Sequence, residues 1–68
     1  PEAMEVNADD FQSSRTPFIW LIDSHYLVVE GLDSTVARVY DPTVGKVIDK
    51  QLPQDPENFR PVIIRFKN

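Results

Sequence analysis

The sequence predicts a mainly β fold, with about five strands in a mostly antiparallel sheet and little helix. Short apolar runs recur along the chain, and residues typical of turns separate them. The longest apolar run, Phe18 to Ile22, has the length of one buried strand. With 68 residues, the chain forms one domain at most and buries a limited core.

The first fifteen residues differ from the rest, because they are acidic and weakly patterned. We expect residues 1–15 to be a flexible segment or linker, with Asn7 capping a short turn through Phe11. The sheet then occupies residues 16–68. Strands are predicted over 18–22, 26–31, 35–40, 46–51 and 62–66.

Residues typical of turns and loops lie between these predicted strands. Pro17 opens the first one, a position that proline tolerates, and residues 23–24 make a tight connection to the second. Residues 41–45 read Asp-Pro-Thr-Val-Gly, a composition that favours a turn. Pro53 and Pro56 predict a loop with at most one helical turn before the last strand.

His25 and Asp41 lie symmetrically about Asp33, the middle of a predicted hairpin loop. If Gly31 faces Thr35 across that loop, His25 lies opposite Asp41 on one face of the hairpin. A histidine oriented by a carboxylate is two-thirds of a nucleophilic triad. The chain has no cysteine to complete it. Taken singly, a lone histidine and an aspartate before proline are more often structural than catalytic.

The other face of this hairpin is too apolar to be simply solvated, so we expect a partner or another domain to pack there. Its residues are Tyr26, Val28, Glu30, Val36, Arg38 and Tyr40. We predict that Tyr26 and Tyr40 form a cross-strand aromatic pair and are candidate binding residues. Trp20 is predicted to be a core residue, with ligand stacking as the alternative.

Composition narrows the classes of partner. A net charge of -4 argues against a nucleic-acid partner, which normally requires a basic patch. A single histidine without cysteine argues against a closed zinc site, and nothing in the sequence indicates a cofactor. No stretch is long and apolar enough to span a bilayer. Because the sequence starts at Pro1 rather than at methionine, we expect a fragment or a processed product.

One family resemblance adds to this interpretation. The matching residues are the strand 17–22, the run 25–31 from His-Tyr to Glu-Gly, the segment 39–42 ending in Asp-Pro, and Gly45. Together they resemble the C-terminal half of the C39 peptidase domain, a papain-like α+β fold at the start of bacteriocin-exporting ABC transporters. The resemblance covers about three-quarters of the chain, and Phe59 and the strand from Val62 look like the closing loop and last strand of that family.

The resemblance implies that His25 is the general base and that Asp41 orients it, whereas the helical half with the nucleophilic cysteine is missing. The first hypothesis is therefore a nucleophile-lacking domain that binds a peptide or a partner domain in bacterial peptide export. The second is the His–Asp half of a cysteine peptidase or amidase whose cysteine lies on another segment, and the third is a plain β-sheet interaction module. In each case we expect the isolated chain to be inactive.

The expected partners follow from these hypotheses. They are a peptide or protein segment, a missing helical half-domain, or a second copy of the chain, and not nucleic acid. The resemblance implies a cytoplasmic location, at the cytoplasmic face of the inner membrane, with membrane contact only through a transporter.

Overall fold

A computed structural model describes residues 2–65 and shows a mainly β fold built on one antiparallel sheet. The sheet has six strands, one more than the sequence predicts, in the order β1-β6-β2-β3-β4-β5. The elements are β1 (Ala3–Glu5), α1 (Ala8–Ser13), β2 (Phe18–Ile22), β3 (His25–Leu32), β4 (Val36–Asp41), β5 (Lys46–Gln51), the 3-10 helix η1 (Pro56–Asn58) and β6 (Val62–Arg65). The end of the predicted last strand, Phe66, lies outside the described residues.

The additional strand and the helix lie in the segment expected to be flexible. β1 pairs with β6, with Ala3 opposite Ile64. Helix α1 begins after Asn7, whose side-chain oxygen accepts a hydrogen bond from the Asp10 N–H at 2.8 Å, so the predicted cap is confirmed. The structure therefore corrects the expectation of a flexible segment over residues 1–15, and the sheet begins well before residue 16.

The core lies on one face of the sheet, which we call the inner face, under α1 and residues 52–59. Phe11 of α1 is fully buried and meets three aromatic rings edge-on: Phe18 at 5.3 Å, Trp20 at 4.9 Å and Phe59 at 5.0 Å between ring centroids. The buried apolar residues are Val6, Phe11, Phe18, Trp20, Leu27, Val29, Ala37, Val39, Leu52 and Ile63. The chain thus covers the inner face with its own helix and loop.

The β3–β4 hairpin exists as predicted, but its register differs from the prediction. Its strands close at Asp33, whose N–H donates to the Val36 carbonyl at 3.0 Å. Gly31 therefore lies opposite Arg38, not Thr35. The register shifts between Val29 and Gly31, where Glu30 forms a β-bulge.

The predicted connections at 23–24 and 41–45 are both present. Asp23 adopts a positive φ of 53° in the tight β2–β3 turn, a conformation that aspartate tolerates better than most residues. Gly45 has a φ of 73° in the β4–β5 turn, where glycine carries no steric penalty. Neither helix in residues 2–65 has the length and apolar character needed to cross a bilayer.

Candidate functional site

The structure does not place His25 opposite Asp41. His25 is the first residue of β3 and pairs with Ile22 of β2. The β3–β4 ladder begins only at Val28, which lies opposite Tyr40. If this register continued past Val28, Asp41 would lie opposite Leu27, which is two residues along β3 from His25. Strand alternation still directs both side chains to the inner face, but the predicted direct opposition is wrong.

Asp41 stabilises the β4–β5 turn. Its carboxylate accepts a hydrogen bond from the Thr43 N–H at 2.9 Å, and its carbonyl accepts one from the Gly45 N–H at 2.7 Å. Within residues 2–65 no hydrogen bond joins Asp41 to His25. A base and an orienting acid need that bond, so the described arrangement is that of a turn residue beside an exposed histidine. A catalytic role for the pair stays a prediction.

The three candidate binding residues lie in different surroundings. Tyr40 lies opposite Val28 and Val47, whereas Tyr26 lies opposite Leu21, so the predicted Tyr26–Tyr40 pair is wrong. Tyr26 is nevertheless 47% exposed. Trp20 is 5% exposed and packs in the core, as its preferred interpretation predicted.

The face of the sheet opposite the core, which we call the outer face, carries a continuous apolar row. One residue from each of five neighbouring strands contributes: Ile64, Ile19, Val28, Tyr40 and Val47. Val47, at the end of the row, is 46% exposed. Both helices of the described residues lie on the inner face, so neither one covers this row.

Sequence reasoning found only the part of the row that lies in the central hairpin. Ile19, Val47 and Ile64 were missed because their alignment depends on the order of the strands. Alternation in 46–51 and 62–65 was the available signal, since it gives each strand two distinct faces. It cannot tell which strands are neighbours.

Acidic residues dominate the charges around this row. Arg38 and Asp49 form an ion pair on the outer face at 3.5 Å, with 65% and 62% of their side chains exposed. An exposed pair of this kind contributes little to stability. Glu5 also lies on the outer face, opposite Val62, and Glu30 is exposed in the bulge. The face is therefore apolar along its centre and acidic at its margin.

The inner side offers less to a small ligand. A depression between α1 and residues 52–59 has a volume of about 260 Å³, slightly below the roughly 300–1,000 Å³ of ordinary small-molecule pockets. Its lining includes Gln12, Leu52, Pro53 and Phe59. Within residues 2–65, no three histidine, aspartate or glutamate side chains gather as a metal site would require.

Comparisons of this chain with protein-family models, with curated proteins and with solved structures found no match. The relationship to the C39 peptidases therefore stays a prediction that depends on residues 17–22, 25–31 and 39–42 and on Gly45.

Proposed function

We propose that this chain is a binding domain whose outer face docks an apolar segment of another protein, with basic residues flanking that segment. The observation that carries the proposal is the row from Ile64 to Val47. It places apolar side chains of five neighbouring strands side by side on a face that no described helix covers. Four residues of the row are half-buried and Val47 is exposed. A contiguous apolar surface that is accessible to this degree marks an interaction surface.

The charged residues around the row indicate the charge of its partner. Glu5, Glu30 and Asp49 outnumber Arg38 around the row, and the whole chain carries a net charge of -4. A second copy would bring the same acidic margin to the interface, where like charges repel. A segment with lysine or arginine beside its apolar residues meets the row and neutralises the margin, which favours both encounter and register.

The resemblance to C39 peptidases suggests a biological setting for this proposal. Nucleophile-lacking members of that family are thought to hold export substrates, so the docked segment would belong to a bacterial export substrate or to a partner domain. The chain would then act at the cytoplasmic face of the inner membrane through a transporter. Binding without catalysis is also what the offset between His25 and Asp41 favours.

Titration with two model peptides tests the proposal. Both are amphipathic, with leucine on one face, and they differ only in having lysine or glutamate on the other. We expect the lysine peptide to shift the backbone amide signals of Ile19, Val28 and Tyr40 in NMR spectra of the labelled chain. The glutamate peptide should leave them unchanged.

A matched pair of variants makes the test specific. Val47→Lys places a charge in the row, whereas Val44→Lys places the same charge on a residue that is 56% exposed in the β4–β5 turn. We expect only Val47→Lys to weaken binding, by about fivefold or more. Equal binding of both peptides, or equal loss in both variants, would contradict the proposal. Concentration-dependent shifts of the same residues without peptide would instead identify a second copy as the partner.

A further inference from the structure

Strand β5 leaves one edge of the sheet open. Among residues 2–65 it pairs only with β4, over six consecutive residue pairs without a bulge. The Leu52 N–H donates to the Thr35 carbonyl at 2.8 Å, which fixes the side to which each backbone group points. Residues alternate in an antiparallel strand, so Lys46, Ile48 and Lys50 bond β4.

The backbone N–H and C=O groups of the intervening residues, Val47, Asp49 and Gln51, therefore point away from the sheet. They form a regular row of donors and acceptors that an extended chain can pair with. No proline interrupts residues 46–51. The open edge is thus long and regular enough to accept another strand.

The side chains beside this edge form two different surfaces. On the inner face Ile48, which is 37% exposed, lies between two lysines. One of them, Lys50, is held over the Trp20 ring at 5.8 Å from the centroid. On the outer face Asp49 lies between Val47 and Gln51. An added strand would meet positive charge on one face and negative charge on the other.

This charge pattern opposes pairing of β5 with a second copy of itself. An antiparallel pair must match outward-pointing residues with one another. Within residues 46–51, only the registers centred on residue 48 or on residue 49 pair as many as five residues. A centre at 48 sets Lys46 against Lys50 twice, and a centre at 49 sets Asp49 against Asp49. Both of these longest registers therefore oppose like charges, which destabilises a cross-strand pair.

We propose that β5 binds an extended acidic-x-apolar-x-acidic peptide of another protein, which pairs antiparallel with it as a seventh strand. The acidic residues of this peptide lie opposite Lys50 and Lys46, and its apolar residue lies opposite Ile48. A basic residue between them meets Asp49. This site is the backbone edge of β5 and shares Val47 and Asp49 with the outer face. Amide shifts centred on Val47, Asp49 and Gln51 report binding at the edge, whereas shifts of Ile19, Val28 and Tyr40 report the docking proposed for the outer face.

A short peptide, Thr-Glu-Arg-Ile-Thr-Glu-Thr with both ends blocked, is the probe. Its first glutamate is designed to lie opposite Lys50 and its second opposite Lys46. We expect saturable binding by fluorescence anisotropy, and amide shifts centred on Val47, Asp49 and Gln51 by NMR. Replacing both glutamates with lysine should weaken binding by about tenfold or more, since two favourable charge pairs become repulsive.

N-methylation separates strand pairing from simple charge attraction. The peptide arginine lies opposite Asp49 and donates its N–H to the protein, whereas the N–H of the peptide isoleucine points to solvent. We expect methylation of the arginine nitrogen to weaken binding by about tenfold and methylation of the isoleucine nitrogen to change it by less than about threefold. Equal effects of the two methyl groups would overturn the proposed pairing.

Protein variants complete the test. Val47→Pro removes an outward N–H without touching the bonds to β4, a substitution that an edge strand tolerates, and it should abolish binding. Lys46→Glu leaves either peptide with one favourable and one repulsive charge pair, so it should weaken binding of the glutamate peptide and strengthen binding of the lysine peptide until the two are similar. Arg15→Glu makes the same charge change on an exposed residue outside β5 and should alter neither. Undiminished binding to folded Val47→Pro, or loss of binding in Arg15→Glu, would overturn the proposal.

Discussion

Asp33 is the residue that determines the geometry of the central hairpin. Its carboxylate accepts hydrogen bonds from the N–H groups of Thr35 and Val36, both at 2.8 Å, and from the Thr35 hydroxyl at 3.2 Å. These bonds hold the pKa of Asp33 below its ordinary value of 3.8. The bond from the Thr35 backbone N–H has the largest effect on this pKa, and the bond from the Val36 N–H has the next largest. The ionised form is therefore the one that stabilises the turn.

This lowered pKa predicts a pH dependence of stability. Because the folded-state pKa lies below the unfolded value, the stabilisation is complete above pH 3.8 and is lost as the pH falls through the folded pKa. Asp33→Asn removes the charge but keeps an acceptor oxygen. We expect this variant to have a lower free energy of unfolding than the natural sequence near neutral pH and to converge with it in strong acid.

Urea unfolding followed by circular dichroism at several pH values measures this effect. Asp55→Asn is a suitable control, because Asp55 caps η1 in a similar way but lies outside the hairpin. A constant difference between Asp33→Asn and the natural sequence, from neutral pH to strong acid, would show that the charge of Asp33 does not stabilise the turn.

The same turn explains which part of the candidate site the sequence could predict. The apolar alternation of β3 and β4 predicted the hairpin, and the spacing of His25 and Asp41 predicted a register for it. The register was wrong because Asp33 closes a shorter loop and Glu30 adds a bulge. Both are local choices of backbone geometry that an apolar pattern does not record.

Among the elements, α1 depends on a single side chain. The helix has six residues, too few to be stable in isolation, and Phe11 is its only buried residue. The sequence predicted the cap at Asn7, but it did not predict this docking, because one aromatic residue in an acidic segment has no periodicity. β1 was missed for the same reason, since three residues pair with β6 without forming a pattern.

Truncation of this anchor should therefore unfold the protein. We expect Phe11→Ala to reduce the free energy of unfolding by about 3–5 kcal/mol, because a fully buried aromatic side chain is replaced by a cavity. That loss approaches the whole stability available to a domain of this size. Thermal and urea denaturation measure it.

Asp9→Ala, at an exposed position of the same helix, serves as the control and should change stability by less than about 0.5 kcal/mol. An unchanged free energy of unfolding in Phe11→Ala would show that the packing of α1 on the inner face does not stabilise the fold.

At the scale of the whole molecule, residues 2–65 combine a core covered by α1 and residues 52–59 with two surfaces, the outer face and the edge of β5, that no other described element covers. We expect it to cleave no peptide on its own, because it has no cysteine and because the described geometry does not join His25 to Asp41. Incubation with leader peptides that end in two glycines, followed by mass spectrometry, should give no product above a blank. Cleavage that His25→Ala abolishes would contradict this and identify a hydroxyl nucleophile.

The strand order also has a consequence for synthesis on the ribosome. β2 to β5 pair with their neighbours in sequence, but β6 inserts between β1 and β2 and so joins residues far apart along the chain. Such pairings form late, because a long loop must close first. Until residues 62–65 emerge, one side of β2 has no strand to bond, and β2 contains the most apolar run of the protein. A chaperone that acts on nascent chains would bind β2 during this time. Slow decoding between residues 52 and 62 would lengthen the time for which β2 is exposed.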